Sequence, residues 1–425
     1  MNDFEMPVHP EFNQPNSDQQ DSVNKPNTVD QVNNSEAEPN VEEPELEEKA
    51  ETQNNAETER NAEKTEPELN FEQQKLEIPH VDFDKVDFVQ KDGRTYMPSL
   101  IRPEDEDNFE IKRDFYMNGY IVLSDSVHRI RTYEIADQYL NVFQQMDQRD
   151  FYWLKFIARF KSVQSLQLIN QTHLSSGIFS KFQMWSSLNK LQRLGLIQKW
   201  KYFHPIVNKN IHVFTLTVNG FRFLETFWGD QKYFQPQNFY RLNPLFHVRF
   251  WETCDVYQVL STLPAFKGYT TIFNGYPKQD IPLVPSPLQI SIELIPNTLE
   301  NLVFYTCLQT DSISYYQDVV TKWSKFTDEG QNSTRPVADL PAGKNILAFY
   351  CPTLECGNNL SQQLNLANWN FTSIFLIGTF IKTKGIQNAF FLPQGDKNEL
   401  CQLKFDNLLK KDQKSSENND SQKEQ

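Results

Sequence analysis

The stretch SSLNKLQRLGLIQKW, residues 186–200, constrains the fold more than any other part of the chain. A helix-like run with regularly spaced leucines ends in a Leu-Gly-Leu sequence, and a basic, aromatic, strand-like run follows at once. Glycine adopts the left-handed backbone conformation that commonly ends a helix, so we expect Gly195 just after the last turn. A helix that stops here and leads directly into a basic strand places two polar, cationic elements side by side.

Residues 147–230 around this stretch predict a small unit of helices followed by a hairpin. We expect helices over QRDFYWLKFIARF and SLQLIN, a turn at THLSS, and a third helix that starts near Ser176 or Ser180 and ends at Leu194. Two strands, LIQKWKYF and IHVFTLT, follow around the turn HPIVNKN, and a last helix begins after the N-cap residue Thr217. This order of elements is that of a winged helix-turn-helix.

The third helix has two faces of different character. Met184, Leu188 and Leu191 share one face, which we expect in the core. The opposite face carries Phe182, Ser186, Asn189 and Arg193, flanked by Gln183 and Lys190. Amide and guanidinium groups read base edges and cations hold phosphates, so this second face has the composition of a DNA recognition helix.

Positive charge is concentrated in the same unit. Residues 147–228 contain 11 Lys and Arg against 3 Asp and Glu, a net charge of +8. His204 and His212 lie near the lysines of the strand pair, and such a basic hairpin is suited to hold DNA phosphates as a wing. The residues predicted to contact DNA are Ser186, Asn189, Lys190, Arg193, Lys199, Lys201 and Lys209. The alternative is a small helical domain with a solvated basic face.

The two ends of the chain differ in composition from the rest. Residues 1–80 contain 21 Asp and Glu against 5 Lys and Arg, a net charge of −16, while the whole chain carries −15. Such segments bury too little apolar surface to offset their chain entropy. We therefore predict that 1–80 is a disordered acidic tail and that 410–425 is a second disordered tail. We predict that 81–146 is a lead-in containing one helix, from Ser126 to Met146, where Ile130 and Tyr133 begin a run of apolar residues near helical spacing. The acidic tail either shields the basic wing or only improves solubility.

Several classes of protein are not favoured by the sequence. No apolar run reaches 18 residues and no apolar leader opens the chain, so we expect a cytoplasmic protein without membrane contact. The five cysteines have no metal-site spacing and are expected to be free thiols, mostly buried. Phosphate-loop, zinc-protease and serine-hydrolase motifs are absent, and we expect neither a cofactor nor a metal ion.

Residues 240–395 predict a second domain of alternating helices and strands. A helix over LFHVRFWETCDVYQVLSTL precedes strands over GYTTIFNGY, LQISIELI and NLVFYTCLQT. A helix over DSISYYQDVVTKWSKF, a strand over NILAFYC, a helical NNLSQQLNLANW and a strand over FTSIFLIGTF complete the order αβββαβαβ. This order indicates an α/β sandwich with a mixed sheet.

Together these patterns resemble the replication-relaxation family of Gram-positive plasmids and integrative conjugative elements, over about residues 147–380. The basic winged unit resembles the N-terminal part of that family, and HVRFWETCDVYQVL resembles the first helix of its second domain. The resemblance implies an α+β protein in which a winged helix-turn-helix precedes a restriction-endonuclease-like αβββαβ domain. It further implies double-stranded DNA binding in plasmid replication or conjugative transfer, with other replication or transfer proteins as further candidate partners.

The nuclease-like core implied by the resemblance is expected to be degenerate. Such a core holds a hard metal ion through an acid near its second strand and an acid, often with a lysine, on its third. Asp280 suits the first position, but VFYTCLQTD on the third strand has Gln309 where an acid is wanted. Glu293 lies on the neighbouring strand and Asp311 starts the next helix. We therefore expect DNA binding without catalysis.

Two alternatives belong to other classes of protein. One is a metal-dependent nuclease or relaxase-like enzyme that uses Asp280 with Glu293 or Asp311. The other is a transcriptional regulator, or a protein-interaction adaptor whose winged unit has lost DNA binding.

Overall fold

The structure is a computed structural model of the chain. It describes residues 89–95, 101, 103–114, 119–123, 126–174, 180–204, 208–229, 233–240, 242–273, 283–295, 297–328, 334, 340–403 and 405. These residues all fall within one compact unit. The predictions of disorder for 1–80 and 410–425 lie outside the described residues. None of the helices described is long and apolar enough to cross a membrane.

The lead-in consists of short strands and one helix. Its elements are β1 (Lys112–Arg113), β2 (Tyr120–Leu123), β3 (Ser126–Arg129) and α1 (Asp137–Gln145), with β2 and β3 paired antiparallel. The helix predicted from Ser126 to Met146 is correct only in its second half. Ile130 and Tyr133 have helical spacing, but they contact the end of a helix that lies about sixty residues further along the chain. There the Tyr133 hydroxyl donates to the Leu194 carbonyl.

The basic part of the chain follows the predicted order and adds one strand to it. Its elements are α2 (Gln148–Phe160), β4 (Ser162–Gln164), α3 (Ser165–Leu174), α4 (Lys181–Arg193), β5 (Ile197–His204), β6 (Lys209–Leu216) and α5 (Val218–Phe227). The strands form one sheet in the order β1-β5-β6-β4. The β5–β6 hairpin was predicted, whereas the short strands that flank it on both sides were not.

The remaining part is a mixed sheet with helices packed against it. Its elements are α6 (Leu245–Leu260), β7 (Phe266–Thr270), β8 (Leu288–Ile295), β9 (Thr298–Thr306), α7 (Ile313–Asp328), β10 (Lys344–Cys351), α8 (Leu354–Leu364), β11 (Ser373–Ile377), α9 (Gly378–Lys384), β12 (Phe390–Gln394) and β13 (Glu399–Leu403). The strand order is β13-β12-β11-β10-β9-β8-β7, and β9, β10 and β11 run parallel. The strand predicted over 371–380 ends at Ile377 because the chain turns there into α9.

Helix α6 connects the basic part to the mixed sheet. Nearly all of its side chains are buried, and one continuous core runs from α2 through α6 to the strands of the sheet. On the basic side, Gln167 Nε2 donates to the Trp251 carbonyl and to Asp255 Oδ1, each at 2.7 Å. Asn170 Nδ2 donates to Gln258 Oε1 at 2.9 Å. A helix buried on all sides must satisfy its polar groups internally, and these bonds do so for Gln258 and for one oxygen of Asp255.

Candidate nucleic-acid interface

Both ends of α4 are fixed by local hydrogen bonds that the sequence encodes. Ser180 is the N-cap: its hydroxyl accepts from the Gln183 backbone, and the Gln183 side chain accepts from the Ser180 backbone. At the other end Gly195 has a φ of +66°, Leu196 N–H donates to the Leu191 carbonyl, and Gly195 N–H donates to the Gln192 carbonyl. This pair of bonds is the Schellman arrangement, so the helix stops where the sequence predicts.

The two predicted faces of α4 are confirmed. Met184, Leu188 and Leu191 are fully buried. On the opposite face Ser186 and Arg193 are exposed, Asn189 is half-buried, and Phe182 is 82% exposed. An aromatic ring this exposed buries almost no apolar area within the chain, so it contributes little to the core. The exposed face therefore offers hydroxyl, amide, guanidinium and aromatic groups to solvent.

Lys190 lies at the edge of this face but has a partner inside the protein. Its Nζ is 2.6 Å from Asp150 Oδ2, and the Asp150 side chain is 2% exposed. Asp150 also accepts from the Asp147 backbone in the capping box that starts α2. A buried carboxylate needs a nearby cation, so Lys190 neutralises Asp150 and joins α4 to α2. This lysine, predicted as a DNA contact, is therefore engaged within the fold.

The lysines of the hairpin surround a carboxylate that the sequence did not single out. Asp114 follows β1, which pairs with β5 through Lys112–Lys201 and Arg113–Trp200. Its carboxylate lies 2.9 Å from Lys199 Nζ, 3.7 Å from Lys201 Nζ and 3.5 Å from His212 Nε2. Burial alone would raise the pKa of Asp114, but the hydrogen bond and charge of Lys199, with His212 and Lys201, lower it on balance.

This carboxylate changes the electrostatics of the hairpin. The Lys199 side chain is 16% exposed and pairs closely with Asp114. The Lys201 side chain is 47% exposed, and its Nζ lies farther from the Asp114 carboxylate. Lys209 is exposed at the start of β6, opposite His204 in the strand register. Burial lowers the pKa of His204 to about 4, so this imidazole is neutral near pH 7. Among the predicted DNA contacts, the cations most accessible to a phosphate are therefore Arg193, Lys201 and Lys209.

The sequence missed Asp114 because its contact is long-range. A strand of two residues has no hydrophobic periodicity, and its partner β5 lies more than eighty residues away. The same holds for Arg131, whose backbone N–H donates to the Arg193 carbonyl at 2.9 Å. The only sequence signal was the KRD triplet in the lead-in, a basic pair followed by an acid, which is common on protein surfaces.

The structure does not bring together the candidate nuclease residues that it describes. Glu293 lies near the end of β8, where it pairs with Lys267 at 3.1 Å, and Asp311 follows the far end of β9. On β9, Glu300 lies beside the part of β8 that carries Glu293, because Ile292 pairs with Glu300. The six residue steps from Glu300 to Thr306 span roughly 20 Å at the usual rise per residue, so Glu293 and Asp311 lie at opposite ends of β9. Asp280 lies outside the described residues. Within the described ranges no three His, Cys, Asp or Glu side chains are grouped to hold a metal ion.

Asp311 has partners that account for its negative charge. Its carboxylate pairs with the Arg249 guanidinium, accepts from the Tyr316 hydroxyl, and accepts from Leu308 N–H at 2.8 Å. Gln309, which stands where a nuclease acid was wanted, has its backbone N–H bound by Glu106 at 3.3 Å. Burial raises the pKa of Glu106, although the hydrogen bonds that its carboxylate accepts from Thr310 and Gln309 lower the pKa in part. The sequence missed Glu106, which reaches this strand end from the lead-in.

No protein-family profile, curated protein or solved structure matches the chain.

Proposed function

We propose that the protein binds double-stranded DNA through the exposed face of α4 and the β5–β6 hairpin, and that it does so without catalysis. The order α2-β4-α3-α4-β5-β6, with β4 and the hairpin in one sheet, supports a winged helix-turn-helix. The observation that carries the proposal is the exposed face of α4, where Ser186, Asn189 and Arg193 are presented beside a lysine-bearing hairpin.

The role in the cell that we propose follows from the resemblance to the replication-relaxation family. The protein would bind DNA of a mobile element in replication or conjugative transfer, and its second part would be a degenerate nuclease-like core. The β7-β8-β9-α7-β10 order supports that core. The separation of Glu293 from Asp311, and the engagement of Asp311 by Arg249, support the lack of catalysis.

The first experiment measures duplex binding at several salt concentrations. Arg193→Ala or Asn189→Ala should weaken binding to a specific duplex by about 1–3 kcal/mol if the side chain reads a base. Lys209→Ala should weaken all duplexes alike and reduce the salt dependence, because it removes a phosphate contact. Lys344→Ala is the matched control, since it removes one exposed lysine from β10 in the mixed sheet.

Two outcomes would contradict the proposal. Unchanged duplex affinity in a variant that combines Asn189→Ala, Arg193→Ala, Lys201→Ala and Lys209→Ala would exclude this surface as the DNA site. Nicking of supercoiled DNA in magnesium or manganese that disappears in Asp280→Ala would instead make the protein a nuclease.

A further inference from the structure

Three of the five cysteines meet where the parallel strands of the mixed sheet end. Cys307 follows β9, Cys351 is the last residue of β10, and Cys356 lies in the first turn of α8. Cys307 N–H donates to the Tyr350 carbonyl at 2.8 Å, next to Cys351, and all three side chains pack in one hydrophobic cluster, where the Cys351 thiol interacts with the other two. Adjacent carboxyl ends of parallel strands are the usual location of reactive groups in such sheets. The sequence predicted free, mostly buried thiols and gave no sign that they are neighbours.

A cavity of about 150 Å³ gives access to this cluster. Its lining includes the side chains of Cys307, Cys356, Gln309, Asp311, Asn359 and Gln363. Cys351 is fully buried behind the lining and Cys307 is 1% exposed, while Cys356 is only partly buried. A small solute that enters the cavity therefore meets Cys356, the more exposed of its two cysteines, whereas Cys351 lies in the core.

The surroundings of Cys356 favour its thiolate, which is the reactive form of a cysteine. The hydrogen bond from Cys351 lowers the pKa of Cys356, more than burial and the nearby carboxylates of Glu106, Asp311 and Glu355 raise it. Cys356 is also in the first turn of α8, after the N-cap residue Thr353, where the helix dipole favours negative charge. Burial raises the pKa of both Cys351 and Cys307, so these two thiols keep their protons.

We propose that Cys356 and Cys351 form a thiol site that reacts with hydrogen peroxide and closes to a reversible disulfide. The Cys356 thiolate attacks one peroxide oxygen, an S–O bond forms as the O–O bond breaks, and the departing hydroxide takes up a proton to become water. The Cys351 sulfur then attacks the resulting sulfenic acid, an S–S bond forms, and a second water leaves. Two thiols are oxidised and one peroxide is reduced to two waters.

Cys307 is the less suitable second thiol for this reaction. Its Sγ donates to the Tyr305 carbonyl at 3.6 Å, and its contact in the cluster is with Cys351. Cys351 is hydrogen-bonded to Cys356 itself and is separated from it by only four residues. The short, local loop between the two favours closure of the Cys351–Cys356 disulfide over one that bridges two strands.

The test treats the native full-length protein with hydrogen peroxide and maps its cysteines by peptide mass spectrometry. We expect a Cys351–Cys356 crosslinked peptide whose mass is lower by two hydrogens, and its loss when a dithiol reductant is added. In Cys351→Ser the crosslink should disappear and a sulfenic acid at Cys356 should react with a cyclic dione probe. Cys401, exposed on β13, is the internal control for ordinary surface thiols.

Several results would overturn the proposal. Oxidation of Cys401 while Cys351 and Cys356 stay reduced in the native protein would show that the cavity gives no selective reactivity. A Cys307–Cys351 crosslink, or irreversible oxidation of Cys356 without a crosslink, would refute the assigned roles. Because the wild-type result alone decides among these outcomes, the test does not depend on the folding of any variant.

Discussion

Helices α4 and α6 have similar lengths and opposite surroundings. α4 buries one face and exposes the other, whereas α6 is buried almost completely between the basic part and the mixed sheet. The polar groups of α6 are bonded internally, as with Gln258 and Asn170, or are held uncharged: burial raises the pKa of Glu252 and Asp255 well above the usual range. The exposed residues of α4 meet solvent. Polar side chains thus stabilise the fold on one helix and remain accessible to an outside partner on the other.

The largest loss of stability should come from breaking the ion pair between Arg249 on α6 and Asp311. Arg249 and Asp311 are 13% and 14% exposed, and Arg249 also donates to the Thr306 carbonyl. Arg249→Met leaves a largely buried carboxylate without its cation, which typically costs about 3–5 kcal/mol in the free energy of unfolding. Urea denaturation monitored by tryptophan fluorescence measures this loss.

The matched control for that variant is a surface ion pair between two strands of the mixed sheet. Lys267 and Glu293 are 44% and 32% exposed, so Lys267→Met, which removes the cation of this pair, should change stability little. Equal losses in Arg249→Met and Lys267→Met would mean that burial does not distinguish the two pairs.

The second prediction concerns the turn that ends α4. Gly195 and Gly119 both have positive φ, +66° and +78°, but a Cβ on Gly195 would lie 2.8 Å from the Arg131 carbonyl oxygen, while one on Gly119 meets nothing within 4 Å. Gly119→Ala should cost only the backbone penalty of about 1–2 kcal/mol. Gly195→Ala should cost measurably more in thermal and urea unfolding. A loss no larger than that of Gly119→Ala would show that the lead-in moves away from α4 without penalty.

The same contrast explains what the sequence predicted and what it missed. α4, its two faces and its last residue follow from local spacing, a serine cap and one glycine, all within about fifteen residues. The predictions fail where distant segments meet. Ile130 and Tyr133 have helical spacing but bind the end of α4, and Asp114 reaches Lys199 through a two-residue strand. The cysteine cluster depends on adjacent parallel strands, which sequence spacing alone does not reveal.

A third prediction uses the pH dependence of stability. Burial lowers the pKa of His247 to about 3, and its Nδ1 lies 2.7 Å from Ser162 Oγ. The unfolded chain binds a proton near pH 6.5, so the folded state binds fewer protons between about pH 3 and 6.5. The contribution of neutral His247 to the free energy of unfolding is therefore fully present above about pH 6.5. It is lost as the pH falls towards about 3, by up to about 1.4 kcal/mol per pH unit.

His247→Gln should make this slope shallower between pH 6.5 and 4.5. Glu252 and Asp255 have raised pKa values and act with the opposite sign, since they hold protons in the folded state that the unfolded chain releases. They are present in both proteins, so the difference between the two unfolding curves isolates His247. Parallel curves would show that His247 becomes charged without unfolding the protein.

The smallest effect should be a tighter binding of DNA in Asp114→Asn. The substitution removes the carboxylate that pairs with Lys199, Lys201 and His212, while the amide keeps its size. If the hairpin binds phosphates, the released lysines should tighten binding to all duplexes and steepen the salt dependence, by about 0.9 in the log–log slope for each additional phosphate that they neutralise. Fluorescence anisotropy across a salt series measures both quantities. Asp318→Asn on α7, which releases Lys322 by the same change of charge, should leave affinity nearly unchanged. Equal increases of affinity in the two variants would mean that net charge alone sets the affinity, and the hairpin would lose its assigned role.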